Sequence, residues 1–147
     1  MSDNVSITDS EWCVMRIVWT LGQCTSRQII DEMESKNDWK PSTTKTLITR
    51  LKNKGYLNTK KQGTGYLYSP NISEKDAMNA VSVSLFNNMC EMKVGKEIGT
   101  IIDNFAISKS DIQLLIDKLT AKQKDAPEKV NCNCLENQYR KCGDDMK

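Results

Sequence analysis

Histidine is absent from this sequence of 147 residues. Without an imidazole, the chain cannot form a Ser/His/Asp triad or a histidine-based metal site, and its carboxylates show no spacing typical of a catalytic pair. The sequence also lacks a Cys-x-x-Cys pair, which a thiol oxidoreductase would carry at a helix N-terminus. We therefore predict that the protein is not an enzyme.

Long apolar runs are also missing. No apolar run approaches the length that would cross a membrane, and the polar start MSDNVSITDS has no signal-peptide pattern. Hydrophobic residues make up 38% of the chain and charged residues 27%, which is an ordinary composition for a globular protein. The sequence therefore predicts a cytoplasmic protein without a membrane partner.

Acidic residues are absent from residues 40–61, although this stretch contains seven Lys and Arg residues. The whole chain carries a net charge of only +2, so the basic excess is local. Within this stretch, apolar positions recur at i, i+3, i+4 and i+7, which predicts a helix with one buried face: Thr44, Leu47, Ile48 and Leu51. The opposite face is small, hydroxylated and cationic, as suits the DNA major groove. A solvated surface helix is the alternative, although such a helix usually mixes both signs of charge.

The first 70 residues show the order helix, helix, helix, hairpin. The predicted helices run from Thr8 or Asp9 to about Leu21, from Ser26 to about Ser35, and from Ser42 to Gly55. Two β-prone runs at 56–59 and 66–68 flank residues 60–65, whose two glycines fit a hairpin turn. A cationic hairpin directly after a basic helix indicates a winged helix-turn-helix.

The second half contains three further apolar stripes at helical spacing. Their members are Ala77, Val81, Leu85 and Met89, then Val94, Ile98, Ile101, Ile102 and Phe105, and finally Ile112, Leu115, Ile116 and Leu119. These stripes are too apolar for short helices that extend from a small domain. A second copy of the chain is the simplest cover, whereas the alternative is that the helices fold back on their own domain.

Three of the six cysteines lie in the last sixteen residues, at Cys132, Cys134 and Cys142. A disulfide across one residue is strained, so metal binding is the favoured use of the Cys-x-Cys pair in a reducing cytoplasm. Three sulfurs suffice for trigonal Cu(I), whereas tetrahedral Zn(II) needs a fourth ligand from water, a carboxylate such as Asp144 or Asp145, or a partner chain. The alternative is a disordered tail with unused thiols. We interpret the other cysteines as structural or incidental: Cys13, Cys24 and Cys90.

The N-terminal segment SDNVSITDSEWCVMRIVW and the later segment DWKPSTTKTLITRLKNKGYL resemble the penicillinase-repressor family (BlaI, MecI and CopY). The most specific element is Trp-x-Pro-x-Thr-x-x-Thr-Leu-x-x-Arg-Leu-x-x-Lys-Gly, which begins at Trp39. We accordingly predict a mainly α chain with a winged helix-turn-helix domain and its small β-hairpin wing at 1–70. A helical dimerisation region at 71–123 and a linker with a Cys-containing metal-binding tail at 124–147 would follow. The resemblance implies a homodimer on a pseudo-palindromic operator with TACA/TGTA-like half-sites.

The DNA contacts that the resemblance implies lie on the basic helix and the wing. Lys45 is the candidate for base readout, and Thr46 can pack its methyl group on a thymine. Phosphate contacts are expected from the N-terminal hydroxyls and the arginine. The full set is Ser42, Thr43, Lys45, Thr46, Thr49, Arg50, Lys60 and Lys61. Lys52 and Lys54 stay open between a DNA contact and a role in solubility.

The tail resembles that of the copper-responsive CopY branch, in which two Cys-x-Cys pairs are separated by four residues. Here the second pair is reduced to Cys142 alone, at a longer interval. The resemblance implies a repressor of copper-export genes that leaves its operator when Cu(I) binds Cys132, Cys134 and Cys142. Zn(II) is a second candidate metal, for the DNA-bound form, and a copper chaperone is a candidate partner. One alternative is the β-lactam-responsive mode, with proteolysis at Asn104-Phe105; another is a cytosolic copper buffer, which would leave the basic half without a purpose.

Overall fold

The computed structural model describes residues 4–136 of the chain. The first unit contains helices α1 (Asp9–Leu21), α2 (Ser26–Asn37) and α3 (Pro41–Asn53), with strands β1 (Cys24–Thr25), β2 (Leu57–Gln62) and β3 (Gly65–Pro70). Helix α4 (Glu74–Asn87), the short 3-10 helix η1 (Glu91–Lys93), α5 (Val94–Asn104) and α6 (Lys109–Gln123) follow. The chain divides into two compact units between Val83 and Ser84, inside α4.

Helices α1 and α2 both begin with a capping box. The Thr8 hydroxyl accepts a hydrogen bond from the Glu11 N–H at 3.2 Å, and the Glu11 carboxylate accepts one from the Thr8 N–H at 2.9 Å. Thr25 and Gln28 repeat this exchange at the start of α2. Each box satisfies backbone donors that a helix N-terminus leaves unpaired, so both helices begin where the sequence predicts.

Helix α3 begins one residue earlier than the sequence predicts. Pro41 occupies its first turn, where the missing N–H costs nothing, and Lys40 precedes it without a side-chain cap. Ser42 therefore lies within the first turn, and its prediction as the start of the helix was wrong by one residue. The helix leads into Gly55, whose φ of +86° suits a residue without a Cβ.

The sheet has the antiparallel order β1-β3-β2. Its hairpin register ends on the pair Gln62 and Gly65, so only two residues form the turn. The hairpin prediction is confirmed, but the predicted six-residue connection was wrong because Lys60 and Lys61 are paired residues of β2. Strand β1 escaped prediction because two residues are too short for an alternating pattern. Three helices with this hairpin form a winged helix-turn-helix.

The core of the first unit lies where α1, α2 and α3 meet. Its fully buried side chains include Val14 and Met15 of α1, Ile29 of α2 and Leu51 of α3. The four positions predicted for the inner face of α3 are all at most 4% exposed: Thr44, Leu47, Ile48 and Leu51. This burial fixes which side of α3 faces outward.

Helices α5 and α6 bury none of their residues in the described single chain. Their large apolar side chains remain 42–57% exposed at Ile98, Ile101, Ile102, Ile112, Leu114, Ile116 and Leu119. The Ser108 hydroxyl caps α6 by accepting a hydrogen bond from the Asp111 N–H at 3.1 Å. Among the residues described, no helix combines the length and the apolarity needed to cross a bilayer.

Candidate nucleic-acid interface and thiol cluster

The outer face of α3 presents every residue that the sequence predicts there. All six are solvent-exposed: Ser42, Thr43, Lys45, Thr46, Thr49 and Arg50. Two of their hydroxyls bond back to the helix, because Thr46 donates to the Ser42 carbonyl and Thr49 donates to the Lys45 carbonyl, each at 3.0 Å. With its proton engaged, each threonine offers an oxygen acceptor and a methyl group, which are groups that can meet base amino groups and thymine methyls.

The wing places its two lysines on opposite faces, because successive side chains of a strand alternate. Lys60 pairs with Leu67, and Lys61 pairs with Tyr66. The Tyr66 ring lies 5.7 Å from the Lys52 ammonium of α3, within reach of a cation–π contact. Since cross-strand partners share a face, Lys61, Tyr66 and Lys52 form one cationic surface with the end of α3.

Lys54 is engaged within the protein. Its ammonium donates to Glu11 Oε1 at 2.6 Å and to the Ser6 carbonyl at 3.0 Å. Burial alone would raise the pKa of Glu11, but the hydrogen bonds from Lys54 and Thr8 outweigh it and hold that pKa below its ordinary value. This ion pair ties α1 to the end of α3, so the structure favours a positioning role for Lys54 over a phosphate contact.

A cluster of three thiols lies in the second unit. The Sγ atoms of Cys90, Cys132 and Cys134 all lie within 4.8 Å of one another. A thiolate sulfur lies about 2.3 Å from a bound Zn²⁺, which puts two sulfur ligands about 4 Å apart in either trigonal or tetrahedral geometry. The three thiols thus fit a single soft metal ion such as Cu(I), the class of ion that thiolates prefer.

Two backbone hydrogen bonds accompany this cluster. The Glu91 N–H donates to Asn133 Oδ1 at 3.1 Å, and the Cys134 N–H donates to Cys132 Sγ at 3.4 Å. Asn133 lies between the two tail cysteines, and Glu91 directly follows Cys90. The segment 132–134 is therefore held at the start of η1 by a contact that does not involve sulfur.

Cys90 was not predicted from the sequence as a member of this cluster. It lies 42 residues before Cys132, and no spacing rule links cysteines so far apart. Cys142, predicted as the third tail ligand, lies outside the described residues, as do Asp144 and Asp145. Cys24 is fully buried, and burial raises the pKa of its thiol, whereas Cys13 packs against the core. Both agree with the structural role expected for them.

The Asn104-Phe105 bond lies at the end of α5. Asn104 Nδ2 donates to the Thr100 carbonyl at 2.8 Å, while Phe105 has an extended backbone and is 65% exposed. In the single chain Phe105 is not a core residue. Cleavage at this bond stays an alternative.

Comparison with known proteins places the chain in a family. The family profile described as Penicillinase repressor matches residues 7–121. An "Uncharacterized 16.5 kDa protein in ptsI 3'region" of Latilactobacillus sakei is 49% identical over 138 residues, which are 93% of this chain and 94% of that protein. The penicillinase repressor of Bacillus licheniformis is 30% identical over 109 residues, which are 74% of this chain and 85% of that protein.

Among solved structures, the Bacillus licheniformis BlaI monomeric form in complex with the blaP half-operator has 36% identity and a TM-score of 0.46. That alignment covers 52% of this chain and 93% of the BlaI chain. The family match spans the winged helix and continues through α5 into α6. This chain belongs to the penicillinase-repressor family of DNA-binding transcriptional repressors.

Proposed function

We propose that this protein represses transcription as a homodimer that inserts α3 into the major groove of a pseudo-palindromic TACA/TGTA-like operator. The observation that carries the proposal is the two-sided character of α3. Its inner side chains are at most 4% exposed, whereas its outer face is exposed and belongs to a stretch without any acidic residue. Membership of a repressor family supports the same function.

The roles on α3 follow from chemistry and position. Lys45 reads a purine edge near the centre of the outer face, and Thr46 offers its methyl group to a thymine. Thr49 lies one turn after Lys45 and meets the same groove. Arg50, with the N-terminal hydroxyls of Ser42 and Thr43, holds phosphates that fix the register of the helix. From the wing, Lys60 and Lys61 contact the DNA backbone, and Lys61 lies on the face shared with α3.

A second copy of this chain is the proposed cover of α5 and α6. These helices expose their isoleucines and leucines along their length, and burying such side chains against a twin surface would stabilise a dimer. Two-fold symmetry would then place two recognition helices about one DNA turn apart, ~34 Å, as a palindrome requires. We place this dimer in the cytoplasm with its operator.

The response to metal rests on the tail. Cys132 and Cys134 bind Cu(I) as thiolates, and the sequence suggests Cys142 as a further sulfur. The dimer leaves the operator of copper-export genes once these thiolates are occupied, and Zn(II) is the candidate metal of the DNA-bound form. A copper chaperone is the proposed donor. A hundredfold loss of operator affinity needs about 2.7 kcal/mol of coupling, which is ordinary for an allosteric repressor.

The test of operator binding is fluorescence anisotropy of the reduced full-length protein on a TACA/TGTA palindrome. Lys45→Ala should lower affinity by about 1–3 kcal/mol and relax base preference at one position. Lys36→Ala removes an exposed lysine of α2 and is the matched control. Equal affinity of the Lys45→Ala and Lys36→Ala proteins would contradict the proposed role of α3.

The test of metal response is an anaerobic titration of the protein–operator complex with Cu(I) and, separately, with Zn(II). Release by Cu(I) that is lost in a Cys132→Ser/Cys134→Ser variant supports the copper sensor. Tight operator binding that does not change with Cu(I) would refute the copper-sensor proposal. Inactivation by cleavage at Asn104-Phe105 would then become the leading alternative. Copper binding without any operator binding would support the copper buffer.

A further inference from the structure

We propose that Cys90 is a ligand of the same metal ion as Cys132 and Cys134, so that metal binding fastens the tail to the turn before α5. The inference rests on the proposed copper response and names its regulatory contact. The sequence points to the tail cysteines alone. The structure adds a thiol from the helical region, between α4 and η1.

The number of ligands supports this assignment. Cys132 and Cys134 together supply two sulfurs, whereas trigonal Cu(I) takes three. The chain contains no histidine that could provide a nitrogen ligand. Cys90 supplies the third sulfur within the same chain, and its Sγ lies within 4.8 Å of both other Sγ atoms. Each thiol gives up its proton as it binds the ion.

The scaffold around the thiols supports it independently. The hydrogen bond from the Glu91 N–H to Asn133 Oδ1 joins the residue after Cys90 to the residue between the two tail cysteines. This contact aligns the tail with Cys90 through atoms that are not metal ligands. A pre-aligned set of ligands loses less conformational entropy on metal binding than an unrestrained tail would.

The three cysteines differ in how exposed they are to solvent. Cys90 and Cys132 are half-buried, whereas Cys134 is exposed. A donor that transfers Cu(I) by thiolate exchange would reach Cys134 first. The two more protected sulfurs would then complete the coordination of the ion. Because η1 runs directly into α5, a metal ion that links the tail to Cys90 would act beside the apolar helix that we propose for the dimer interface.

The experiment uses the full-length reduced protein under anaerobic conditions with one equivalent of Cu(I) per chain. Alkylation of each cysteine by iodoacetamide is followed by peptide mass spectrometry, and Cu(I) affinity is measured by competition with a coloured chelator. Cu(I) should slow the alkylation of Cys90, and this protection should disappear in the Cys132→Ser/Cys134→Ser variant. Cys13, which is not a member of the cluster, is the internal control.

The affinity measurement separates Cys90 from the other cysteines. Loss of a residue that only supports a metal ligand already costs about 10–100-fold in affinity, so Cys90→Ser should weaken Cu(I) binding at least tenfold while Cys13→Ser leaves it unchanged. The Asn133→Ala variant should weaken it less than Cys90→Ser. In Cys142→Ser, copper should still protect Cys90.

The inference is overturned if Cu(I) protects only Cys132 and Cys134 and the Cys90→Ser protein binds copper like the unaltered one. That result would leave the copper-responsive repressor intact. The converse result, copper protection of all three thiols with no change in operator affinity, would refute the sensor and keep the metal site. The two failures are therefore distinguishable.

Discussion

Replacing Lys54 with methionine would remove the cation that faces a buried carboxylate while keeping a side chain of similar length. Glu11 is 0% exposed, and Oε1 accepts hydrogen bonds from both Lys54 and the Thr8 N–H. Within the described part of the chain, nothing donates to Oε2. After the substitution, the carboxylate would keep one backbone donor and no counter-charge.

The expected cost is about 2 kcal/mol in the free energy of unfolding. Removing one partner of a buried ion pair typically costs about 3–5 kcal/mol, because the other charge stays buried and unpaired. The side chain of Lys54 is 34% exposed, so water screens part of the pair and lowers this figure. The loss is measurable by urea denaturation at one fixed protein concentration, because the apparent stability of any self-associating protein depends on its concentration.

The pH dependence provides a sharper test. In the unaltered protein the pKa of Glu11 is lowered, so its contribution to stability is present above the unfolded pKa and is lost as pH falls through the folded pKa. In Lys54→Met, burial without a cation should raise that pKa, so protonation would relieve the penalty. The stability difference between the two proteins should therefore be largest near neutral pH and should shrink as pH falls from the raised pKa of the variant to the lowered pKa of the unaltered protein.

A double-mutant cycle with Glu11→Gln isolates the interaction between the two side chains. We expect a coupling free energy of about 2 kcal/mol near neutral pH. A coupling below about 0.5 kcal/mol would refute the reasoning, since independent sites add within that range. A stability loss that is equal at neutral and acidic pH would refute it as well, because the penalty arises from the ionised carboxylate of Glu11.

Four further outcomes are expected. Leu51→Ala should lower the free energy of unfolding by about 2–5 kcal/mol, because the Leu51 side chain on the inner face of α3 is fully buried; urea denaturation measures this. Gly55→Ala should lower the free energy of unfolding by about 1–2 kcal/mol, because a φ of +86° is unfavourable for a residue with a Cβ. The added Cβ itself would meet no atom within 4 Å. Ile101→Glu, on an apolar face that is 44% exposed at this residue, should give a folded monomer by sedimentation; an intact dimer would contradict the proposed interface. Lys61→Ala should reduce the salt dependence of operator binding by about one phosphate contact, and an unchanged slope would exclude that contact.

Several elements could be predicted from the sequence because their causes are local. The inner face of α3 follows from the helical spacing of Thr44, Leu47, Ile48 and Leu51, and all four are buried. The two residues of each capping pair at the starts of α1 and α2 lie three positions apart, so these contacts also depend only on nearby residues. The bounds of the elements were predicted less well. Helix α3 starts at Pro41, one residue earlier than predicted, and strand pairing makes the wing turn shorter than predicted.

Sequence periodicity and the local absence of acids determined the winged helix and its cationic outer face, whereas the motif that begins at Trp39 indicated the family. Contacts between distant residues were decided only by the tertiary structure. Lys54 meets Glu11 across 43 residues, so a lysine of the basic stretch proves to be a structural partner. Cys90 meets Cys132 and Cys134 across more than forty residues, at a turn whose sequence alone says nothing of metal. Helical and strand periods record which side of an element is buried, whereas only the path of the folded chain decides which side chains meet.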